Sequence, residues 1–298
     1  MADADSRLER PVIWFLTDFG YDGAAAICRG VMLGIARDAQ IVDISHAVRK
    51  FAIADGAYLL RAAIPWLPVG VHVGVVDPGV GTDRRPIAIR AGRGDILVGP
   101  DNGLLLPAAE RLGGITEARL IENRGWMLPA TSATFHGRDI FSPIAAHLAM
   151  GEPFEDVGPS VDAAGLVRLD LPEAEARPGR LATGVVYVDS FGNLRLAGGV
   201  TDLEAALGPV EPGTGLMVDY SAASHASPAA TRPNATTTAR RGDRWERLTW
   251  HRTFGEAAPG DLLAYEDSSG NIAIAVSNGS ATTRLGAGTG ARIGIRRA

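Results

Sequence analysis

The sequence predicts an α/β protein in two parts: an N-terminal, largely parallel α/β sandwich and a smaller C-terminal antiparallel β-barrel. From residue 11 to about 150, short β-branched runs alternate with longer segments whose apolar residues recur three and four apart, the pattern of βα units around a parallel sheet. Between Leu169 and Gly179 the run LDLPEAEARPG packs prolines and acids with no periodicity, the composition of a linker. Beyond it, short strand-like runs are separated by Gly, Asn and Ser, with hardly any helical stretch, which predicts a barrel-like β domain. The expected layout is therefore 11–168, a linker at 169–179, and 180–298.

Val12–Leu16 reads as the first strand, and Ile27, Val31 and Ile35 then fall on one stripe of a helix that Asp22 is placed to cap. Ile41–Ile44 reads as a strand, Ile53, Ala57, Leu60 and Ile64 as the buried stripe of a second helix, and Val71–Val76, Ile87–Ile89 and Ile96–Val98 as further strands. A helix from Ile140 to Met150 carries Ile144 and Leu148 and stops at Gly151. In the second domain Gly184–Val188, Leu216–Val218, Leu262–Tyr265, Ile272–Val276 and Arg292–Ile295 read as strands. The segment 221–247 is poor in apolar residues and too long for an ordinary connection, so a mobile surface insertion is expected there. No internal repeat is visible.

At 298 residues, the chain is long enough to bury an active site. A net charge of −5 with no block of Lys or Arg argues against nucleic acid as a partner, because phosphate-backbone binding needs clustered cations. The single cysteine, Cys28, can form neither an internal disulfide nor a cysteine metal cluster. The polar start lacks the layout of a secretory signal, and no apolar run approaches the ~18 residues of a membrane span, so a cytoplasmic protein with no membrane partner is expected.

Several strands end alike. VIWFL runs into Thr17-Asp18-Phe19-Gly20, VHVGVV into Asp77-Pro78-Gly79, ILVG into Pro100-Asp101-Asn102-Gly103, and IVDI into Ser45-His46. Ligands of an open parallel sheet bind outside the carboxyl ends of its strands, so these side chains are expected to converge on one cleft. Singly, each Asp-Pro-Gly or Asp-Asn-Gly is also an ordinary turn. A further polar run, Ala133-Thr134-Phe135-His136-Gly137-Arg138-Asp139, precedes the Ile140 helix; the positive helix start there disfavours a charged imidazole at His136. Read as chemistry alone, Asp18, Asp77, Asp101 and His136 could instead form a Mg²⁺ or Mn²⁺ cluster.

The strings FLTDFG (15–20), VVDPGVGTDRR (75–85), VGPDNGLL (98–105), TFHGRDIF (134–141) and DSFGN (189–193), in this order, resemble the S-adenosyl-L-methionine (SAM) hydrolases, or SAM hydroxide adenosyltransferases, relatives of the fluorinases and chlorinases. The resemblance covers essentially the whole chain except the extreme N-terminus and the insertion. It implies cleavage of SAM by water into adenosine and L-methionine without cofactor or metal, on an N-terminal α/β domain and a C-terminal β-barrel. It also implies a homotrimer with sites shared between subunits. The catalytic Asp, Arg and His of that family correspond to Asp77, Arg84 and His136. Asp18 matches the carboxylate that holds the ribose, Asp22 and Asp189 the acids around the methionine ammonium, and Asn193 the amide near adenine. Ser268 and Ser269 match the methionine-carboxylate loop, Val276–Asn278 the segment whose backbone reads adenine, and Phe51 an aromatic wall in the halogenases, although Phe51 could equally be core.

The chemistry these residue types suit is orientation of a nucleophile. A sulfonium leaves as a neutral thioether, so no acid is needed, only a water held in line with C5′–S. Asp77 and His136 are expected to accept hydrogen bonds from that water, with Arg84 keeping Asp77 ionised. The other readings are a halogenase of the same fold, disfavoured because Asp77 would repel an anion, and a non-catalytic SAM or adenosine binder. The chain also departs from the family pattern. After Asn193 a Thr-Asn pair usually ends the next strand, whereas here the sequence is Leu194-Arg195-Leu196-Ala197-Gly198-Gly199.

Overall fold

The structure, a computed structural model, describes residues 10–220 and 245–298. The chain divides into two compact units that meet in sequence between Leu169 and Asp170.

In the first unit β1 (Val12–Thr17), β2 (Gln40–Ser45), β3 (Val71–Val75), β4 (Pro86–Ala91), β5 (Ile96–Pro100) and β6 (Ile115–Leu120) form one sheet, ordered β2-β1-β3-β5-β4-β6. The first four in that order are mutually parallel, whereas β4 runs antiparallel to both β5 and β6. The helices are α1 (Ala24–Ile35), α2 (Ile53–Ala63), α3 (Leu106–Arg111) and α4 (Ser142–Ala149). Alternation along the strands feeds two cores. Ile13, Phe15, Val71, Val73 and Val75 pack with α1 and α4, whereas Leu16, Ile87, Ile89 and Leu97 pack with α2 and α3. α3 and β6 were not expected from the sequence, where Pro107 and the short run ITEARL carry little periodicity.

The expected stripe of α1 is rotated by about one residue. Ala25, Cys28 and Met32 are buried, while Ile27 is 51% exposed, because small side chains let the helix approach the sheet closely. Asp22 does not cap this helix; Gly23 occupies the N-cap in a left-handed conformation and no side chain bonds to the first turn. Before α4, Gly137–Phe141 forms a π-helical turn, a local widening that often accompanies functional sites.

The second unit contains β7 (Glu175–Arg177), β8 (Arg180–Val188), β9 (Leu194–Gly199), α5 (Val200–Leu207), β10 (Gly215–Tyr220), β11 (Trp245–Trp250), β12 (Leu262–Glu266), β13 (Asn271–Val276), α6 (Ala281–Leu285) and β14 (Arg292–Arg297). Seven strands close into a barrel, β14-β10-β11-β12-β13-β9-β8, with β8 returning to β14. Its interior holds Leu181, Val185, Leu194, Leu196, Leu216, Val218, Leu248, Ile272, Ile274, Ile293 and Ile295. The barrel is not wholly antiparallel: β11 and β12 run parallel, because the connection between them carries the chain back to its starting end. β7 lies within the stretch expected as a linker and pairs with β8 outside the ring. α5 also departs from the expectation of an almost helix-free domain. The expected insertion at 221–247 falls outside the described residues up to 244, while 245–247 already belong to β11, where Trp245 pairs with Asp219.

Candidate active site

The carboxyl ends of β1 and β3 lie side by side, and the chain leaving each contributes to one pocket of about 220 Å³. Asp18, Phe19, Lys50, Phe51, Val75, Asp77, Val80, Thr134, Phe135, His136 and Gly137 line it. The sheet edge, the segment before α2 and the π-helical turn thus meet at one place, as the end-of-strand rule anticipates.

Asp77 and Arg84 are brought together by a tight loop in which Thr82 Oγ1 donates to the Gly79 carbonyl at 2.7 Å. Arg84 donates to both Asp77 oxygens, from Nε to Oδ1 at 3.1 Å and from Nη2 to Oδ2 at 2.5 Å. The two side chains are only 7% and 5% exposed, so the pair is little screened by solvent and the carboxylate is held in one orientation. Gly81, at φ 77°, lets this loop lie against the 132–135 segment, since a Cβ there would run into the Ala133 carbonyl. The contact brings Arg84 to His136: Nη2 lies 3.0 Å from His136 Nδ1.

That contact fixes the imidazole. A guanidinium only donates, so Nδ1 must accept and the single proton of neutral His136 sits on Nε2. The expectation that His136 accepts a hydrogen bond from a water is therefore corrected: its remaining nitrogen is a donor. Burial first, and then the Arg84 charge, lower the His136 pKa below the ordinary imidazole value, against smaller opposing pulls from Asp77 and Asp139. One donor of the cluster, Arg84 Nη1, is buried and has no hydrogen-bond partner among the described residues.

Asp18, 8% exposed, accepts the Phe51 amide at 2.8 Å through Oδ2. Phe51 adopts φ 65°, a left-handed conformation that costs about 1–2 kcal/mol for a residue with a side chain. A hydrogen bond to a charged acceptor contributes about 1.5–3 kcal/mol, enough to offset it. The Phe51 ring is 68% exposed and lines the pocket, so it is not core. Phe19 and Phe135, edge to face at 5.8 Å, add two aromatic surfaces, and Lys50 adds a cation that donates to the Phe19 carbonyl at 3.0 Å. Phe19 belongs to a strand-end run expected at the cleft, whereas Lys50 and Phe135 were given no role by the sequence. Phe19 and Phe135 sit inside the quoted motifs, directly after Asp18 and before His136, which is the signal that was available.

Other expected residues lie elsewhere. Asp22 is exposed and not among the pocket-lining residues. Asp101 turns away from the cleft: its carboxylate is paired with Arg85 and accepts the Val167 amide at 2.9 Å. His46 bonds Thr17 Oγ1 at 2.8 Å and faces Asp43 rather than the pocket. The carboxylate cluster considered for a metal is thus not assembled, and no group of three or more His, Cys, Asp or Glu among the described residues is arranged to hold a cation.

In the second unit Asp189 caps its own hairpin loop, accepting from the Phe191 and Asn193 amides at 3.0 Å and from Asn193 Nδ2 at 2.9 Å. The Asn193 amide expected beside adenine is thereby engaged with Asp189. Ser268 and Ser269 are exposed in the turn before β13, Val276 ends that strand, and Asn278 follows at φ 54°.

A fixed carboxylate, a guanidinium and a neutral imidazole gathered beside an aromatic pocket are the equipment of an enzyme that orients a small nucleophile. Residues 13–158 match the SAM hydroxide adenosyltransferase N-terminal domain and residues 183–294 its C-terminal domain. The chain belongs to the SAM hydroxide adenosyltransferase family. It is 41% identical over 286 residues to an (R)-S-adenosyl-L-methionine hydrolase of Salinispora tropica, covering 96% of this chain and 97% of that one. A Thermus thermophilus protein of the same name is 38% identical over 93% of this chain and 96% of its own. A fluorinase of Actinopolyspora mzabensis is 30% identical over 65% of this chain and 72% of its own. Among solved structures, an uncharacterized conserved protein from Thermotoga maritima superposes with a TM-score of 0.81 at 32% identity, covering 96% of this chain and all of that one.

Proposed function

We propose that this chain hydrolyses SAM to adenosine and L-methionine by in-line attack of water or hydroxide on C5′. The observation that carries this reading is the Asp77–Arg84–His136 cluster, with Asp77 and His136 in the same pocket as Asp18. Asp77 accepts a hydrogen bond from the attacking water and takes its proton as the C–O bond forms and the C5′–S bond breaks. His136 Nε2–H is a donor that can turn the oxygen's lone pair toward C5′. Asp18 holds the ribose hydroxyls, while Phe19, Phe51 and Phe135 wall off water. Asp22, Asp189, Asn193, Ser268, Ser269, Val276 and Asn278 are assigned to the methionine and adenine ends by their place in the motifs.

The test is incubation of pure protein with SAM and a chelator. Because the relatives' names specify the R form, both sulfonium epimers are supplied. Adenosine and methionine in equal amounts are expected; no turnover between about pH 6 and 9 overturns the reading. A neutral His136 is required to accept the Arg84 N–H, and its pKa is lowered, so turnover should stay level as pH falls from 8 to about 6.5 and be lost only below that. A half-maximal point above 6.5 would contradict this tautomer.

The proposal extends to a metal-independent homotrimer in the cytoplasm. Exposed apolar side chains, Tyr21, Ile27 and Val42, support burial against another copy, and light scattering at three subunit masses would bear this out. Among the described residues no helix is long and apolar enough to cross a membrane.

A further inference from the structure

We propose that Arg195 is a positioning residue that ties two identically built hairpin loops of the barrel into one rigid unit and so sets affinity for the amino-acid end of the substrate. The first loop is Asp189-Ser190-Phe191-Gly192-Asn193 between β8 and β9; the second is Asp267-Ser268-Ser269-Gly270-Asn271 between β12 and β13. They share the pattern Asp-Ser-x-Gly-Asn and its geometry. In each, the Asp Oδ1 accepts the amides two and four residues on, at 3.0 and 3.0 Å in the first loop and at 2.7 and 2.9 Å in the second. In each, the Asp amide donates to the Asn carbonyl, the Gly amide donates to the Asp carbonyl, and the Gly lies near φ 80°, at 82° and 81°.

Because β9 pairs with β13, these loops flank one short ladder, and Arg195 stands in it opposite Ala273. Its guanidinium divides between them: Nη2 reaches Asp189 Oδ2 at 3.2 Å and Nη1 reaches Asp267 Oδ2 at 2.9 Å, with the Tyr265 ring 5.9 Å away. Asp267 is 2% exposed and Asp189 16%, so without the cation two partly desolvated carboxylates would confront each other. A planar guanidinium can serve two carboxylates from separate nitrogens with fixed spacing, which a lysine ammonium on a flexible stem cannot do. The residues held this way, Asp189 on one side and Ser268 and Ser269 on the other, are those assigned above to the methionine ammonium and carboxylate. The substrate part of the inference rests on that assignment.

The variants are Arg195→Met and, as the folding-safe control that keeps a charge, Arg195→Lys. Both are expected to raise KM for SAM tenfold or more with kcat within about threefold, while Kd for adenosine, which keeps only the Asn193 contact of these loops, weakens by a clearly smaller factor. Recovery of the wild-type KM in Arg195→Lys, or an equal loss of adenosine affinity, overturns the inference. Amide hydrogen exchange reads the strut without any substrate: Phe191, Asn193, Ser269 and Asn271 should lose protection together in Arg195→Lys, and loosening of one loop alone refutes the coupling. If the unmodified protein does not turn over SAM, the functional reading falls while the exchange experiment still decides the role of Arg195.

Discussion

Replacing Asp77 with alanine is expected to lower kcat for SAM by about 10²–10⁴-fold, the span typical of losing a positioned acid–base group, with adenosine Kd changed less than about threefold. The change removes more than an acceptor for water. Arg84 loses both hydrogen bonds that orient it, its buried charge is left without a partner, and the Nη2 donor that fixes His136 Nδ1 is set free. The three groups should therefore fail as a unit. His136→Ala is expected to cost a comparable factor, and the double variant little more than either single one, since effects within one catalytic unit do not add. Single-turnover product formation measures the rates, calorimetry with adenosine measures binding, and thermal melting shows that the fold is retained. An Asp77→Ala rate within tenfold of the unmodified protein would move the water site away from this cluster.

Asp18→Ala should have the opposite signature: adenosine affinity about 10–100-fold weaker, the worth of one or two hydrogen bonds to a buried charge, with kcat at saturation much less affected. Asp18 would no longer hold the ribose hydroxyls, and it would also no longer offset the left-handed backbone of Phe51. The 50–52 segment is then free to relax and the aromatic wall to drift. Phe51→Gly separates the two contributions, because glycine keeps the amide donor and tolerates positive φ while deleting the ring. If Asp18→Ala lowered kcat and left adenosine affinity intact, the ribose assignment would be wrong.

The layers were legible in the sequence because strand runs and helical stripes carry strong periodicity, as in Val71–Val75 and in Ala57, Leu60 and Ile64. The buried face of α1 is offset by about one residue from its apolar stripe because Ala25 and Cys28, its buried contacts, are less hydrophobic than the exposed Ile27. The parallel pairing of β11 with β12 depends on a connection that has no local code. Strand-end motifs located Asp18 and Asp77 but could not separate them from Asp101, whose side chain turns to Arg85. That choice is made by a neighbour, not by the Asp-Asn-Gly string. Likewise the motif delivered Asp77, Arg84 and His136, yet which imidazole nitrogen carries the proton became visible only from the guanidinium at 3.0 Å. The twin loops carry no readable period because two five-residue strings far apart in sequence make no repeat, and the role of Arg195 between them exists only in the folded ladder.

β10 and β11 are antiparallel neighbours, with Asp219 opposite Trp245, so whatever joins them departs from and returns to adjacent posts of a closed stave wall. Lengthening such a span costs only a logarithmic amount of closure entropy, about 0.6 kcal/mol per doubling. The closure cost of the cylinder therefore depends only weakly on the length of that span, while its rungs are set by the staves themselves.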